Sequence, residues 1–448
     1  FPGSAPGAPI PSACYDIGHY TPPITLDGSL LNPGDDILRT NFLPPVYQQN
    51  SYKIAYQVSG IRFSKSPGAG LKMSAGERYS HIACNHFMNN QTGILLSGNL
   101  NSWHRSQQYA IHRNKINLNQ IGIDFENSGL SYVQKNWIGV DIDSKGKKIP
   151  APNGTGIDFT LKTNPLQPKA EPGSNGVTYI HDNDFAATFS CVVLRSGRFV
   201  HITENTMECG KLGIDLVRRF PVPGIEEVTL NDVGDTDTWD FGFAFNSNEG
   251  QNYPVLQSAV LNADGTMLKI NFDTDFSDDN TSTFRIDVFA NPAPLAPGQR
   301  IGKTWLGAFN VTANGPMNHT VELATNIPKN QLGNMTATAS EINVAFVPKF
   351  QNMPYLTSYP PDTYDTGWNP IMQIGIPYQG STSEFSAPVT IIKKGPGGET
   401  PPVPWNPVPT PPEGPTGGGN PPHEGEGEGS GGGLPTNPGG TSGTGPVK

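Results

Sequence analysis

Ile82-Ala-Cys-Asn85-His-Phe87-Met-Asn-Asn-Gln-Thr-Gly93-Ile94-Leu-Leu96 is the stretch whose reading decides the fold. It begins with an aliphatic residue and places Asn three positions later and a large apolar residue two after that. A small residue stands at plus eleven, with apolar residues at plus twelve and plus fourteen. Ile111, Asn114, Ile116, Gly122, Ile123 and Phe125 repeat it with the same spacing. Val133, Asn136 and Ile138 open a third copy that closes, after an insertion, with Gly156, Ile157 and Phe159. Ile180, Asn183, Phe185, Cys191, Val192 and Leu194 follow, then Ile202, Asn205, Met207, Gly213, Ile214 and Leu216. Val58, Ile61, Phe63, Gly70, Leu71 and Met73 form an earlier, imperfect copy.

Apolar residues two apart on either side of a bend predict short strands with one buried face. The copies start 29, 22, 47 and 22 residues apart, so the basic turn is about 22 residues and the surplus sits in loops. A unit this short cannot bury its own apolar face and must stack on its neighbours at ~4.8 Å. The spacing therefore predicts an all-β fold built on a parallel β-helix. Asn85, Asn114, Asn136, Asn183 and Asn205 are expected to form a structural ladder. Asn tolerates a left-handed bend, and its amide can bond the same Asn one turn away.

With 448 residues the chain has room for two or three domains. Charged residues make up 15%, while 52 Gly and 44 Pro favour strands and turns over helices. The net charge of -10 offers no basic surface for nucleic acid or an anionic membrane. No apolar run approaches the ~18 residues of a membrane span. The chain begins at Phe1 without Met or an apolar signal, which reads as an exported protein with its signal peptide removed. Cys14, Cys84, Cys191 and Cys209 show no CxxC pattern, which argues against zinc. Cys191 and Cys209 fall on successive turns and can pair as a disulfide, or remain as two buried thiols. Asn-x-Ser/Thr sequons at Asn90, Asn153, Asn280, Asn310, Asn318 and Asn334 permit glycosylation where the machinery exists.

Taken in order, residues 1–45 read as a Pro-rich arm or cap over the first turn, and 46–220 as the β-helix. Residues 221–253 form an Asp-rich connector. There Asp232, Asp235, Asp237 and Asp240 could wrap a hard cation, Ca2+ first, or simply make a solvated acidic turn. Residues 254–394 read as a β-sandwich. Its hairpin is Ala259–Leu261 and Met267–Phe272 around Asn262-Ala-Asp-Gly265, and its later strands include Met335–Ala339 and Glu341–Val347. Residues 395–448 are a Pro/Gly/Glu-rich low-complexity tail without enough apolar surface to fold alone.

Asn136-Trp-Ile-Gly-Val-Asp, Pro152-Asn-Gly-Thr-Gly-Ile, Gly213-Ile-Asp-Leu, Leu230-Asn-Asp-Val-Gly-Asp-Thr-Asp-Thr, Gln251-Asn-Tyr-Pro-Val-Leu, Thr283-Phe-Arg-Ile-Asp-Val-Phe-Ala-Asn and Thr382-Ser-Glu-Phe-Ser-Ala-Pro-Val resemble secreted prokaryotic right-handed parallel β-helix proteins of the pectate-lyase-like superfamily. The resemblance spans about residues 55–394. It implies a right-handed helix followed by an immunoglobulin-like sandwich, often within exported or cell-surface proteins, and says little of function. One departure is an aromatic, Pro-rich insertion at 341–381. Its Tyr355, Tyr359, Tyr364 and Trp368 make either an interaction surface or a long hairpin folded back on its own sandwich.

Superimposing the copies aligns Leu95, Asp124, Asp158, Val193 and Asp215 in one outward column. Asp124 and Asp158 would stack on adjacent turns, where two carboxylates can split their pKa values as a catalytic pair does. They could equally hold a cation or face water. Two further columns carry His81, Tyr132, Tyr179 and His201, and His112, Gln134 and His181. With Trp103 these could contact sugars, or be ordinary surface side chains. No polygalacturonase-type Gly-His-Gly or Arg-Ile-Lys is present. The resulting expectation is an extracellular structural or surface protein. It would be a self-assembling filament, sheath or surface-layer subunit, or an adhesin, with itself or surface glycans as partner. The alternatives are a polysaccharide lyase or glycoside hydrolase using Asp124 and Asp158, and a non-catalytic carbohydrate-binding protein.

Overall fold

A computed structural model describes residues 14–40, 56–217, 228–235, 247–343 and 378–395, omitting 15, 75–77, 98–105, 127, 130, 161–177, 196–199, 233–234, 277–281, 293, 314 and 328–331. Within it the repeat becomes a coil of three parallel sheets that the chain visits in rotation. The Ile82 copy shows the rule. Arg78–Ala83 enters the first sheet, His86–Met88 the second and Thr92–Ser97 the third. Each strand then pairs in parallel with the matching strand of the next copy: Ile82 with Ile111, Phe87 with Ile116 and Ile94 with Ile123. The second and third sheets each stack seven strands, the arrangement that fits a parallel β-helix.

The coil starts before the repeat is legible. Ile24–Asp27 pairs with Ile61–Ser64 and Leu38–Arg39 with Ala69–Met73, inside the segment read as an arm. This first turn has no Asn at the ladder position, so the motif does not mark it. The apolar positions face inward and form one core from Phe63 to Leu216. Phe63 stacks on Phe87 at 4.8 Å and Phe125 on Phe159 at 4.6 Å, as identical positions one turn apart must. The small residue at plus eleven is explained by close approach, since a Cβ on Gly93 would come within 2.6 Å of the Gly122 carbonyl.

The five Asn residues are buried and form the expected ladder. In each step the backbone N–H and side-chain Nδ2 donate to Oδ1 of the next Asn, as in Asn85 to Asn114 at 3.0 and 3.1 Å. Nδ2 also donates to backbone carbonyls, for example Asn114 to Ile82 and His112. The expectation that Asn itself takes the left-handed bend is corrected. The preceding residue takes it at every turn: Cys84, Arg113, Lys135, Asp182 and Glu204 have φ of 50–60°. Asn is needed for its amide. Only this side chain is short enough to stay in the bend while satisfying donors and acceptors on two turns.

A second ladder runs at the next corner. Asn90 N–H donates to Asn119 Oδ1 at 3.0 Å, and Asn119 N–H to Asn153 Oδ1 at 2.9 Å. Asn90 and Asn153 are therefore internal, so of the six sequons these two are closed to glycosylation in the folded coil. Asn310 and Asn318 are exposed. The third-copy insertion leaves the coil at Gly139 and forms an antiparallel ribbon of Val140–Ile142 with Lys148–Pro150.

The second body has eight strands: β1 (Val255–Leu261), β2 (Met267–Phe276), β3 (Ser282–Asn291), β4 (Thr304–Ala313), β5 (Gly315–Ala324), β6 (Asn334–Asn343), β7 (Tyr378–Thr382) and β8 (Val389–Lys393). They run β4-β3-β6-β8-β1-β2-β5, with β7 also on β6. Only two residue pairs join β6 to β8, Asn334 with Thr390 and Met335 with Val389. This join divides the path into two arms that share one apolar core of Leu268, Ile270, Phe272, Phe276, Phe284, Ile286, Val288 and Ala337. The hairpin Asn262–Gly265 holds as read. The break expected between Met335–Ala339 and Glu341 does not exist. Ser340 is fully buried, and its hydroxyl pairs with that of Thr382 at 2.7 Å, so β6 runs through it.

Candidate functional site

The last turn of a stack exposes strand edges that need cover. Here the second body supplies it. Met207 and Leu212 make bridges to Gly302 and Arg300. Asn248 Oδ1 accepts from Val200 N–H, and its Nδ2 donates to the carbonyls of Val200 and Thr382. Thr382 Oγ1 accepts from Ile202 N–H at 2.8 Å. Glu384 accepts from Leu216 and Thr229 N–H at 2.7 and 3.0 Å, and burial pushes its carboxyl up to about 8. Phe385 lies under Gly213 and edge-on to Phe289, 5.1 Å away. Arg285 clamps the rim, bonding Glu204 of the coil at 2.7 Å and the fully buried Asp287 at 2.8 Å. None of these capping residues carries a repeat signature. Their roles become visible only in three dimensions.

The outward face of the third sheet carries the carboxylates. Asp124 pairs in register with Asp158, as the aligned copies require. Both are buried, at 7% and 5% exposure, so the option of carboxylates in bulk water is corrected. Alignment gives the direction of a side chain and not its cover. Arg195, two residues beyond the aligned column, donates from Nε to both Asp158 oxygens at 3.1 and 3.2 Å. Burial nevertheless raises the Asp158 pKa, with Arg195 opposing, and burial also raises that of Asp215, which accepts from Ser190. Glu126 shares the face and accepts from Ser97 Oγ at 3.1 Å. Sequence reading passed over Arg195 and Glu126 because they lie one step outside the column of the motif.

The first sheet presents the His and Tyr columns in the expected register, Tyr132 beside Tyr179 and Gln134 beside His181. His112, Tyr132 and His201 are buried rather than solvated. Tyr132 bonds His181, whose ring stands edge-on at 4.7 Å. Burial depresses His81 and His181 to about 4, keeping both neutral at ordinary pH.

For the proposed cation loop, Asp235 gives one oxygen to Asn252 N–H at 2.9 Å and the other to Gln251 Nε2 at 2.9 Å. The Asp232 carbonyl accepts from Asn252 Nδ2. Asp237 and Asp240 lie outside the described residues, and so do Trp103, Tyr355, Tyr359, Tyr364 and Trp368. Among the described residues no group of three His, Cys, Asp or Glu is arranged to hold a metal ion.

All four cysteines are paired. Cys191 bonds Cys209, tying the last two turns, and Cys14 bonds Cys84 across 70 residues. Two such bonds fit an oxidising, extracellular environment. Among the described residues no helix is long and apolar enough to cross a membrane. The chain matches no protein-family model and no curated protein.

Proposed function

We propose that this chain is an extracellular structural or surface protein. It is a rigid right-handed β-helix joined to an immunoglobulin-like β-sandwich, and it works as a subunit of an assembly or as an adhesin. The carrying observation is the closure of the coil by Asn248, Thr382, Glu384 and Phe385, which makes coil and second body one unit rather than two beads. The disulfides support the same reading, since one staples each end of the coil. Closure also limits how copies can join. Simple head-to-tail stacking needs an open edge at both ends, so contacts run through the sides, the first turn or the tail. Negative-stain microscopy and sedimentation across a concentration series, with and without calcium chelator, test this. Ordered filaments or sheets are expected, and a chain that stays monomeric throughout overturns the assembly.

A second reading rests on the buried, in-register Asp124 and Asp158. A carboxyl with a raised pKa facing a second one suits general acid–base cleavage of a glycan. Asp124→Asn with Asp158→Asn then abolishes cleavage in a polysaccharide panel, and unchanged cleavage removes the assignment.

A further inference from the structure

The outward column of the second sheet reads Thr25, Arg62, His86, Lys115, Trp137, Asp184 and Thr206. Arg62, His86 and Lys115 thus stand on three successive turns, ~4.8 Å apart. The cations Arg62 and Lys115 flank the ring of His86 on either side, and two like charges in one column favour an anion between them. Lys115 has one, because its Nζ donates to Asp141 Oδ1 at 2.8 Å. Arg62 has no carboxylate among the described residues and spends Nη2 on the thioether sulfur of Met88, a weak acceptor. Arg62 Nε and His86 Nε2 are shut off from solvent and have no hydrogen-bond partner among the described residues. Buried polar atoms left open in this way are uncommon and call for a partner.

The site has a roof. The segment after Cys14 crosses the sheet, fixed at its start by the bond to Cys84. The Tyr20 ring stands edge-on to His86 at 6.1 Å, and the Gly18 carbonyl accepts from Lys115 Nζ at 3.3 Å. Arg62 and His86 remain half-buried, so a small group can approach the exposed part of each side chain, although Arg62 Nε and His86 Nε2 themselves are closed to solvent.

We propose that Arg62 and His86, beside the buried Lys115 paired with Asp141, form an oxyanion site that takes a carboxylate or sulfate group. A guanidinium offers parallel N–H donors matched to two oxygens, and the flanking imidazole supplies a third contact from the next turn. Burial and the charges of Lys115 and Arg62 hold His86 near 4, while Asp141 and a hydrogen bond to the Tyr20 backbone pull the other way, so a bound anion raises it further. The group can belong to a free ion or to an acidic glycan chain.

Calorimetry of the full chain with sodium sulfate, dextran sulfate and neutral dextran separates these sources. Excluded salts stabilise any fold, so each titration is run beside Arg62→Gln. Saturable sulfate binding, at least tenfold weaker in Arg62→Gln, is expected, with an upward shift of the His86 titration seen by NMR in the unsubstituted chain. Tighter binding of dextran sulfate identifies a chain-borne group, and equal binding identifies the free ion. Absence of saturable binding by either, or equal binding by the Arg62→Gln chain, overturns the site. If Arg62→Gln does not fold, a His86 titration unmoved by both sulfates overturns it independently.

Discussion

The coil and the second body bury strands by opposite means. In the coil, amide side chains run through the bends as two continuous ladders, Asn85 to Asn205 and Asn90 to Asn153, beside an apolar core. In the second body β2 alternates plainly and packs the apolar core of Phe272, Phe276, Phe284 and Ile286, while the buried hydroxyls Thr336, Thr338 and Ser340 are kept to the other face of β6. The difference teaches where each region can fail. The coil is sensitive to chemistry at the bends, because a lost amide orphans buried donors on the neighbouring turn. The second body is sensitive to volume, because a lost ring leaves a cavity.

Breaking the covalent staple that the second body lacks should have one of the two largest effects. Cys14→Ser with Cys84→Ser releases a loop of 70 residues and should cost about 4 kcal/mol, read by denaturant unfolding. Phe284→Ala should cost about 3–5 kcal/mol, and Phe284→Leu much less, because only volume matters there. Asn114→Ala should cost about 3 kcal/mol, since it orphans Asn85 N–H and Nδ2 together. Asn114→Leu should recover none of it, the reverse of the Phe284 pair.

The smallest effect lies at the seam. Glu384→Gln replaces one acceptor facing a backbone N–H with a donor and should cost about 1–2 kcal/mol. Its pH dependence has a definite sign. The folded carboxyl keeps its proton to about 8, against an ordinary 4.5 in the unfolded chain. The stabilisation is therefore complete below 4.5 and declines as pH rises to about 8. Thermal unfolding between pH 4 and 9 should show that decline, reduced in Glu384→Gln.

What could be read from the chain follows the same division. Asn85, Asn114, Asn136, Asn183 and Asn205 were legible because one spacing repeats around them. Asn90, Asn119 and Asn153 were not, since a long insertion displaces Asn153 and two of the three sit in sequons. The in-register stack of Asp124 on Asp158 followed from alignment, while their burial and Arg195 did not, because cover is a property of the whole surface. Cys14 bonding Cys84 and the capping by Glu384 depend on residues 70 and 168 positions apart, beyond any local pattern.

Amide hydrogen exchange at Asn85, Asn114, Asn136 and Asn183 tests the ladder most directly. Each backbone N–H donates to the Oδ1 of the following Asn at 2.9–3.0 Å. Exchange as slow as at Ile286 in the core of the second body is the predicted result. Exchange as fast as at Ala263 and Asp264, in the exposed part of the hairpin turn, would contradict a coil held by internal amide ladders.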